Sequence, residues 1–523
     1  MTGSDPPGRT LPVAIAAAVL LAALTLVMPR GFLVMDEAGR YLQTVSLAGG
    51  LRFPPPVPYP GAGLLGDAAG DCRPLPYHYG IWRDGTLYSQ YGPLLALLCL
   101  PGYLLAGRTG AFLFPAAGAL ALWLVMRRIL RDRGFGNAAS SLLPLLGTPL
   151  LFYSQTYWSY TAVMTICVAA WAWQRRIGTT WALAMVFAAA LLRVEVLVTA
   201  PFILLRDGST PLVRRLAAAA VIAALFLASQ KLLTGQWLGT HVSASGAEQS
   251  LYGHQAMDFL QRKAFVFGRS LFGLVPGAPA AFGLASGALL WLLWGLSWTG
   301  GPAGRLSLFA GLLLSAAAVA SSVFRGLPLF DLFSLKHPLV FFPVLWLVRP
   351  ADWRIPLGMV LILLLAAGPM HVEDLAWGTR LLIVPFTLAA AGALPERGRV
   401  LPVAVTGLVC VLVSMLLLWS RRQRSEDLAE LAATNGGAVI TTSWLLPGEF
   451  AGLQAEGVPV VMTDRSGEYL EALDRLSGLD PVVVCLERDL GTTLEITGNR
   501  VPEPSIEGVI GFDPAMRVAV ISF

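Results

Sequence analysis

Apolar runs of roughly 16 to 22 residues recur along this chain, and nothing else narrows its fold as much. A helix needs about 20 such residues to cross the hydrocarbon core of a bilayer. In water these segments would aggregate, whereas in lipid each closes its own backbone hydrogen bonds. Only 13% of the 523 residues are charged, against roughly 25% in a soluble chain. The expected fold is an all-α polytopic membrane protein with about 11–13 transmembrane helices and a small α/β domain at its C-terminal end. The first run, 11–28, is long for a signal-peptide core and has no Ala-x-Ala site before Pro29-Arg30, so it reads as a retained first helix.

The net charge is +5. Its arginines lie largely in short loops between spans, where they act as topology signals rather than as a nucleic-acid patch. With Arg9 in the cytoplasm, 30–109 forms a long outer loop whose stretch Phe53-Pro54-Pro55-Pro56-Val57-Pro58-Tyr59-Pro60 cannot be regular helix. If 91–107 crossed the membrane, Arg127, Arg128, Arg131 and Arg133 would land outside. An interfacial 91–107 with 110–126 as the second span is preferred. Spans follow at 139–155 and 158–173. The stretch 180–205 divides into two short spans turning at Arg193-Val194-Glu195. The alternative is one tilted helix with a costly Arg–Glu pair in mid-membrane. Span 212–233 leads to a second outer loop, 234–281. Further spans fit at 282–298, 305–323, 332–348, 355–370, 379–394 and 400–419. This count places the tail outside, although Arg421, Arg422 and Arg424 then lie outside too, against the charge rule.

We take 1–420 as the membrane domain and 425–523 as a separate small domain. In the tail, Val439-Ile440-Thr441-Thr442, Val458-Pro459-Val460-Val461-Met462 and Pro481-Val482-Val483-Val484-Cys485 read as short buried strands. Helices at 447–455 and 467–477 alternate with them, which predicts a partly parallel sheet. No Gly-rich nucleotide motif occurs. The five cysteines, at 72, 99, 167, 410 and 485, form no CxxC pair. Neither a disulfide framework nor a zinc site is indicated, with Cys72 and Cys485 a pair that could meet on the outer side.

Chemistry is expected where Met35-Asp36-Glu37-Ala38-Gly39-Arg40-Tyr41 follows the first span. The acids suit the first turn of an interfacial helix. They also suit a general base beside a second carboxylate, since adjacent like charges split their titrations. Arg40, one turn after Asp36, is placed to orient it. Arg193, Arg262, Lys263 and Arg380 fall on the same outer side. Each also has an ordinary reading: Arg193 paired with Glu195, Arg262 and Lys263 on lipid headgroups, Arg380 snorkelling. A base and several cations on one face suit a reaction with a phosphate leaving group, because positive charge stabilises the negative charge that develops. His78, His241, His254 and His371, with Glu373 and Asp374 near the last, leave a divalent metal ion open as a cofactor, though without ligand spacing. Tyr153, Tyr157, Trp158 and Tyr160 suit an interfacial belt or a stacking surface for a sugar ring.

A first span followed by Asp36-Glu37-Ala38-Gly39-Arg40-Tyr41 at the head of a large outer loop resembles the GT-C superfamily of membrane glycosyltransferases. Within it, the chain resembles the branch of lipid A aminoarabinose transferase and the protein O-mannosyltransferases. Tyr91-Gly92-Pro93-Leu94-Leu95 with Gly107, and Trp377-Gly378-Thr379-Arg380-Leu381-Leu382 with Pro385, carry the rest of the likeness. Thr379 stands where the family motif has Pro, and no Asp-x-Asp occurs in the first loop. The resemblance covers about 10–420. It implies Asp36, with Glu37, as the base acting on an acceptor, and a sugar donor linked to polyprenyl phosphate. Arg193, Arg380, Lys263 and Arg262 are then the candidate phosphate-binding residues. Arg40, Tyr41, Tyr91, His371, Glu373 and Trp377 are the candidate substrate-binding ones.

The function expected is sugar transfer to a lipid, glycan or protein at the outer face of a bacterial cytoplasmic membrane. The rival is a transporter or flippase of lipid-linked glycans. It calls for midplane polar residues and two related halves, and neither is visible in the sequence. A non-catalytic scaffold is the third reading.

Overall fold

Leucine and alanine, which cost a helix little, together with valine make up most of the apolar residues among the first 420, and none of them leaves a polar side-chain group in lipid. In the computed structural model the described residues are 10–32, 35–75, 79–206, 210–237, 259–272, 280–324, 337–366, 382–443, 446–463, 466–498, 505–510 and 517–522. Among these, five helices are long and apolar enough to cross a membrane: Leu94–Ala111, Leu113–Asp132, Leu212–Thr234, Gly301–Val319 and Gly398–Asn435. Shorter apolar helices, Pro12–Val27, Asn137–Leu146, Thr179–Ala190 and Leu284–Ser297, pack beside them.

Several expected spans are broken, each for a local reason. Leu94–Ala111 loses helical geometry at Ala106 and at Gly107, whose φ is 57°. Its straight part is about 18 Å long. The chain then doubles back so tightly that a Cβ on Gly102 would sit 2.2 Å from the carbonyl oxygen of Gly110. The expected span 139–155 is two pieces, Asn137–Leu146 and Leu150–Ser154, parted at Gly147. The described part of 332–348 is a short helix, Pro338–Phe341, and a 3-10 turn, Pro343–Leu347. Proline interrupts the hydrogen-bond ladder in both regions. At Arg193 the break was legible: Thr179–Ala190 ends, Arg193 is extended (φ −154°, ψ 109°), and Val194–Val198 leads into Thr199–Arg206.

The helix Arg397–Asn435 runs for 39 residues and carries no charge between Arg399 and Arg421. That interval rises about 33 Å, so Arg399 and Arg421 mark opposite ends of the bundle. The junction assigned to 420–425 lies inside this continuous helix. Its later turns place Leu428 and Ala432 in the core of the sheet that follows.

Near the chain start, Gly80–Arg83 (β1) and Thr86–Ser89 (β2) form an antiparallel hairpin. Asp84 and Gly85, with φ of 50° and 72°, give the tight turn that matches strand twist. The tail strands are Ala438–Thr441 (β3), Val460–Met462 (β4), Pro481–Leu486 (β5), Ser505–Ile510 (β6) and Val518–Ser522 (β7), in the order β4-β3-β5-β7-β6. β3 is parallel to β4 and β5, as the strand–helix alternation predicts. The antiparallel pair β6–β7 completes the sheet and was not foreseen. Alternate residues feed two cores, with Val439, Val460 and Val482 on one face and Ile440, Val461 and Val483 on the other.

This sheet rests on the first long loop. The Met462 amide donates to the Arg73 carbonyl at 2.9 Å, the Cys72 thiol donates to the Glu468 carbonyl at 3.6 Å, and Gln454 Nε2 donates to the Pro58 carbonyl. The tail therefore lies on the same side of the bundle as 30–109. Cys72 and Cys485 share one apolar cluster and remain thiols.

Candidate functional site

The site is built on the helix Met35–Gly49, which opens with both acids in its first turn. There they meet the positive end of the helix dipole. Consecutive positions point about 100° apart, so 36, 40 and 43 share one face and 37, 41 and 44 the next. Both carboxylates are buried, at 3% and 0% exposure, and burial without compensation would be costly.

Asp36, Arg40 and Gln43 converge on Tyr91. The Tyr91 hydroxyl donates to Asp36 Oδ1. The Arg40 guanidinium carbon lies 4.3 Å from the Tyr91 ring centre. Gln43 Nε2 donates to the Tyr91 carbonyl at 2.8 Å, and Gln90 Nε2 donates to the Tyr91 hydroxyl at 3.1 Å. Tyr91 is presented by the end of the β1–β2 hairpin, where its amide donates to Ser89 Oγ at 3.3 Å. Arg193 enters from the helix break. It pairs with Glu195 and lies 4.0 Å from the Tyr160 ring centre. Burial lowers the proton affinity of Arg40, the nearby Arg193 lowers it further, and Asp36 pulls it back up. Arginine stays charged nonetheless. The site thus holds a buried carboxylate with two guanidinium groups.

Glu37 belongs to a different network. Its Oε1 accepts from the Tyr157 amide at 2.6 Å and faces Arg422 Nη2 at 3.5 Å. Arg422 also lies 4.4 Å from the Phe112 ring centre. Next to it on the long helix, Arg421 and Arg424 both pair with Glu449, the former at 2.6 Å. Burial raises the Glu449 carboxyl to about 7 against the opposing pull of Arg424. The expected dyad of adjacent acids is therefore not what forms. Each acid has its own partners because neighbouring helical positions diverge.

The other expected site residues are scattered. Tyr41 packs among Phe32, Tyr103 and Tyr157, and burial raises its hydroxyl to about 12 although Arg108 opposes this. Lys263 donates to the carbonyls of Leu364 and Leu365 at the C-terminal end of Arg354–Ala366, the favoured place for a cation on a helix. Arg262 is half-buried beside it. Arg380, His371, Glu373 and Trp377 lie outside the described residues, as do His78, His241 and His254. Among the described residues, no three of His, Cys, Asp and Glu come together.

The sequence reading missed Gln43 and the cluster Arg421, Arg422 and Arg424. The arginines were visible only as an objection to the charge rule. In the structure all three are buried beside acids from distant segments.

An apolar helical bundle with a buried acid–arginine site at one end, covered by a small mixed sheet, defines a multi-pass membrane protein with an extramembrane α/β domain. Over 99% of its length and 98% of the other chain, it is similar to the crystal structure of ArnT from Cupriavidus metallidurans bound to undecaprenyl phosphate, with a TM-score of 0.44 and 14% identity. The apo structure of the same protein gives a TM-score of 0.41 and 15% identity, covering 98% of each chain. No family model and no curated protein matches the chain.

Proposed function

We propose that this chain is a glycosyltransferase of the cytoplasmic membrane. It would move a sugar from a polyprenyl-phosphate donor to a lipid, glycan or protein hydroxyl at the outer face. One observation carries the reading: Asp36 and Arg40, buried on one helix, lie close to Arg193 from a distant segment. Two guanidinium groups close together repel each other, and an anion between them removes that cost.

In this reading the Asp36 carboxylate takes the proton of the acceptor hydroxyl. The acceptor oxygen bonds to the anomeric carbon, and the bond from that carbon to the phosphate oxygen breaks. The electron pair leaves on the carrier phosphate, whose charge Arg193 stabilises. Attack opposite the leaving group inverts the sugar carbon. Tyr91 holds Asp36 in place, and Glu37 with Arg422 fixes the helix that carries it. Arg380 is proposed as a further phosphate ligand from the family motif, and Lys263 and Arg262 as groups at the same membrane face.

The test uses the full chain in nanodiscs with hexose- and pentose-bearing polyprenyl phosphates. Asp36→Asn is expected to lower transfer by at least about 100-fold while the thermal midpoint and carrier binding persist. Near-normal turnover by that variant overturns the base assignment. Movement of labelled carrier across vesicles without any acceptor would favour the flippase instead.

A further inference from the structure

Two atoms on the helical face that carries Asp36 lack hydrogen-bond partners. Arg40 Nη1 and Gln43 Oε1 are both buried and unsatisfied, in residues only 4% and 2% exposed. They lie on the same helical face as Asp36, one and two turns on. The orientation of the Gln43 amide is fixed by chemistry. Its nitrogen end donates to the Tyr91 carbonyl at 2.8 Å, and turning it over would set two acceptor oxygens against each other. The oxygen end is therefore the one left over. Leaving such a group unpaired is costly, and a bound ligand would recover that cost.

The chemistry of the two atoms discriminates among ligands. A phosphate offers only acceptor oxygens when ionised, so it satisfies Arg40 and not Gln43 Oε1. A carboxamide oxygen needs a donor, such as a hydroxyl or amino group. A donor-seeking oxygen and an acceptor-seeking guanidinium, on the helical face of the proposed base, complement the alternating hydroxyl groups of a sugar.

We infer that Gln43, with Arg40, reads the hydrogen-bonding groups of the transferred sugar, Gln43 Oε1 accepting from a hydroxyl or amino group next to the reacting carbon. The assignment rests on the glycosyl-transfer reading above and makes Gln43 a specificity-determining residue of that site.

The experiment measures binding of bare polyprenyl phosphate and of the same carrier bearing mannose, glucose or arabinose, in nanodiscs, for the wild type and two variants. The wild type is expected to prefer at least one sugar-bearing carrier over the bare one. Gln43→Leu should lose about tenfold of that preference or more, with bare-carrier affinity changed by less than about twofold. Gln43→Asn keeps the amide, with both its donor and its acceptor oxygen, and should retain more of the preference. Thermal midpoints check that both variants fold. If the wild type prefers a sugar and Gln43→Leu keeps that preference, the assignment fails while the function stands. If the wild type prefers no sugar over the bare carrier, the function fails and the assignment falls with it. If Gln43→Leu does not fold, Gln43→Ser replaces it: an unchanged preference in that variant overturns the assignment, and a lost one supports it.

Discussion

At the scale of single residues, the site separates groups that the sequence places side by side. Asp36 is held by a phenol beside guanidinium groups, and Glu37 by a backbone amide and Arg422. Tyr91→Phe removes the hydroxyl that fixes the base, and is expected to lower kcat about tenfold with little change in KM. Steady-state kinetics with a lipid-linked sugar checks this. Arg422→Ala leaves Glu37 buried without its cation, which should cost about 3–5 kcal/mol of stability, read as a lowered thermal midpoint in detergent. Glu449 gives a pH signature. Its carboxyl is raised from an ordinary 4.5 to about 7 by burial, so between these values the folded state binds a proton that the unfolded state has released. Its contribution to stability is full below about 4.5 and is lost as pH rises through about 7. Thermal midpoints across that window should fall more steeply in the wild type than in Glu449→Gln. Equal slopes would show that Glu449 does not titrate there.

At the scale of elements, what could be read from the sequence followed from local rules, and what could not depended on distant partners. The break at Arg193 and the strands Ala438–Thr441, Val460–Met462 and Pro481–Leu486 were legible, because a charged pair interrupts an apolar run and β-branched runs sit between turn signals. The breaks within 139–155 and 332–348 carried their own signal in proline, which a hydropathy reading passes over. The partners of Arg421, Arg422 and Arg424 were not legible, since a charge run does not say whether water or a buried acid faces it. The reversal after Leu94–Ala111 gives a test at this scale. Gly107→Ala meets nothing within 4 Å and should cost only backbone strain, about 1–2 kcal/mol. Gly102→Ala drives a Cβ to 2.2 Å from the Gly110 carbonyl oxygen and should lower the thermal midpoint further.

At the scale of the whole molecule, the tail is tied to the site rather than appended to it. Glu449 contacts Arg421 and Arg424 of the long helix, and a Cβ on Gly448 would lie 2.6 Å from Met35 Sδ. Removing 425–523 should therefore abolish both transfer and the cooperative thermal transition. A shared side also predicts that Leu51→Cys and Glu471→Cys react with a membrane-impermeant thiol reagent from one face of sealed vesicles, and Glu396→Cys from the other. The helix Arg397–Asn435 adds a constraint of another kind. With Arg399 bonded to Ser297 and Trp346 at one end and Arg421 to Glu449 at the other, neither arginine can be drawn into hydrocarbon without losing partners. The protein consequently carries a fixed ruler for bilayer thickness. In membranes much thinner or thicker than its interval it must tilt or deform the lipid, so acyl-chain length should tune both its stability and where it accumulates.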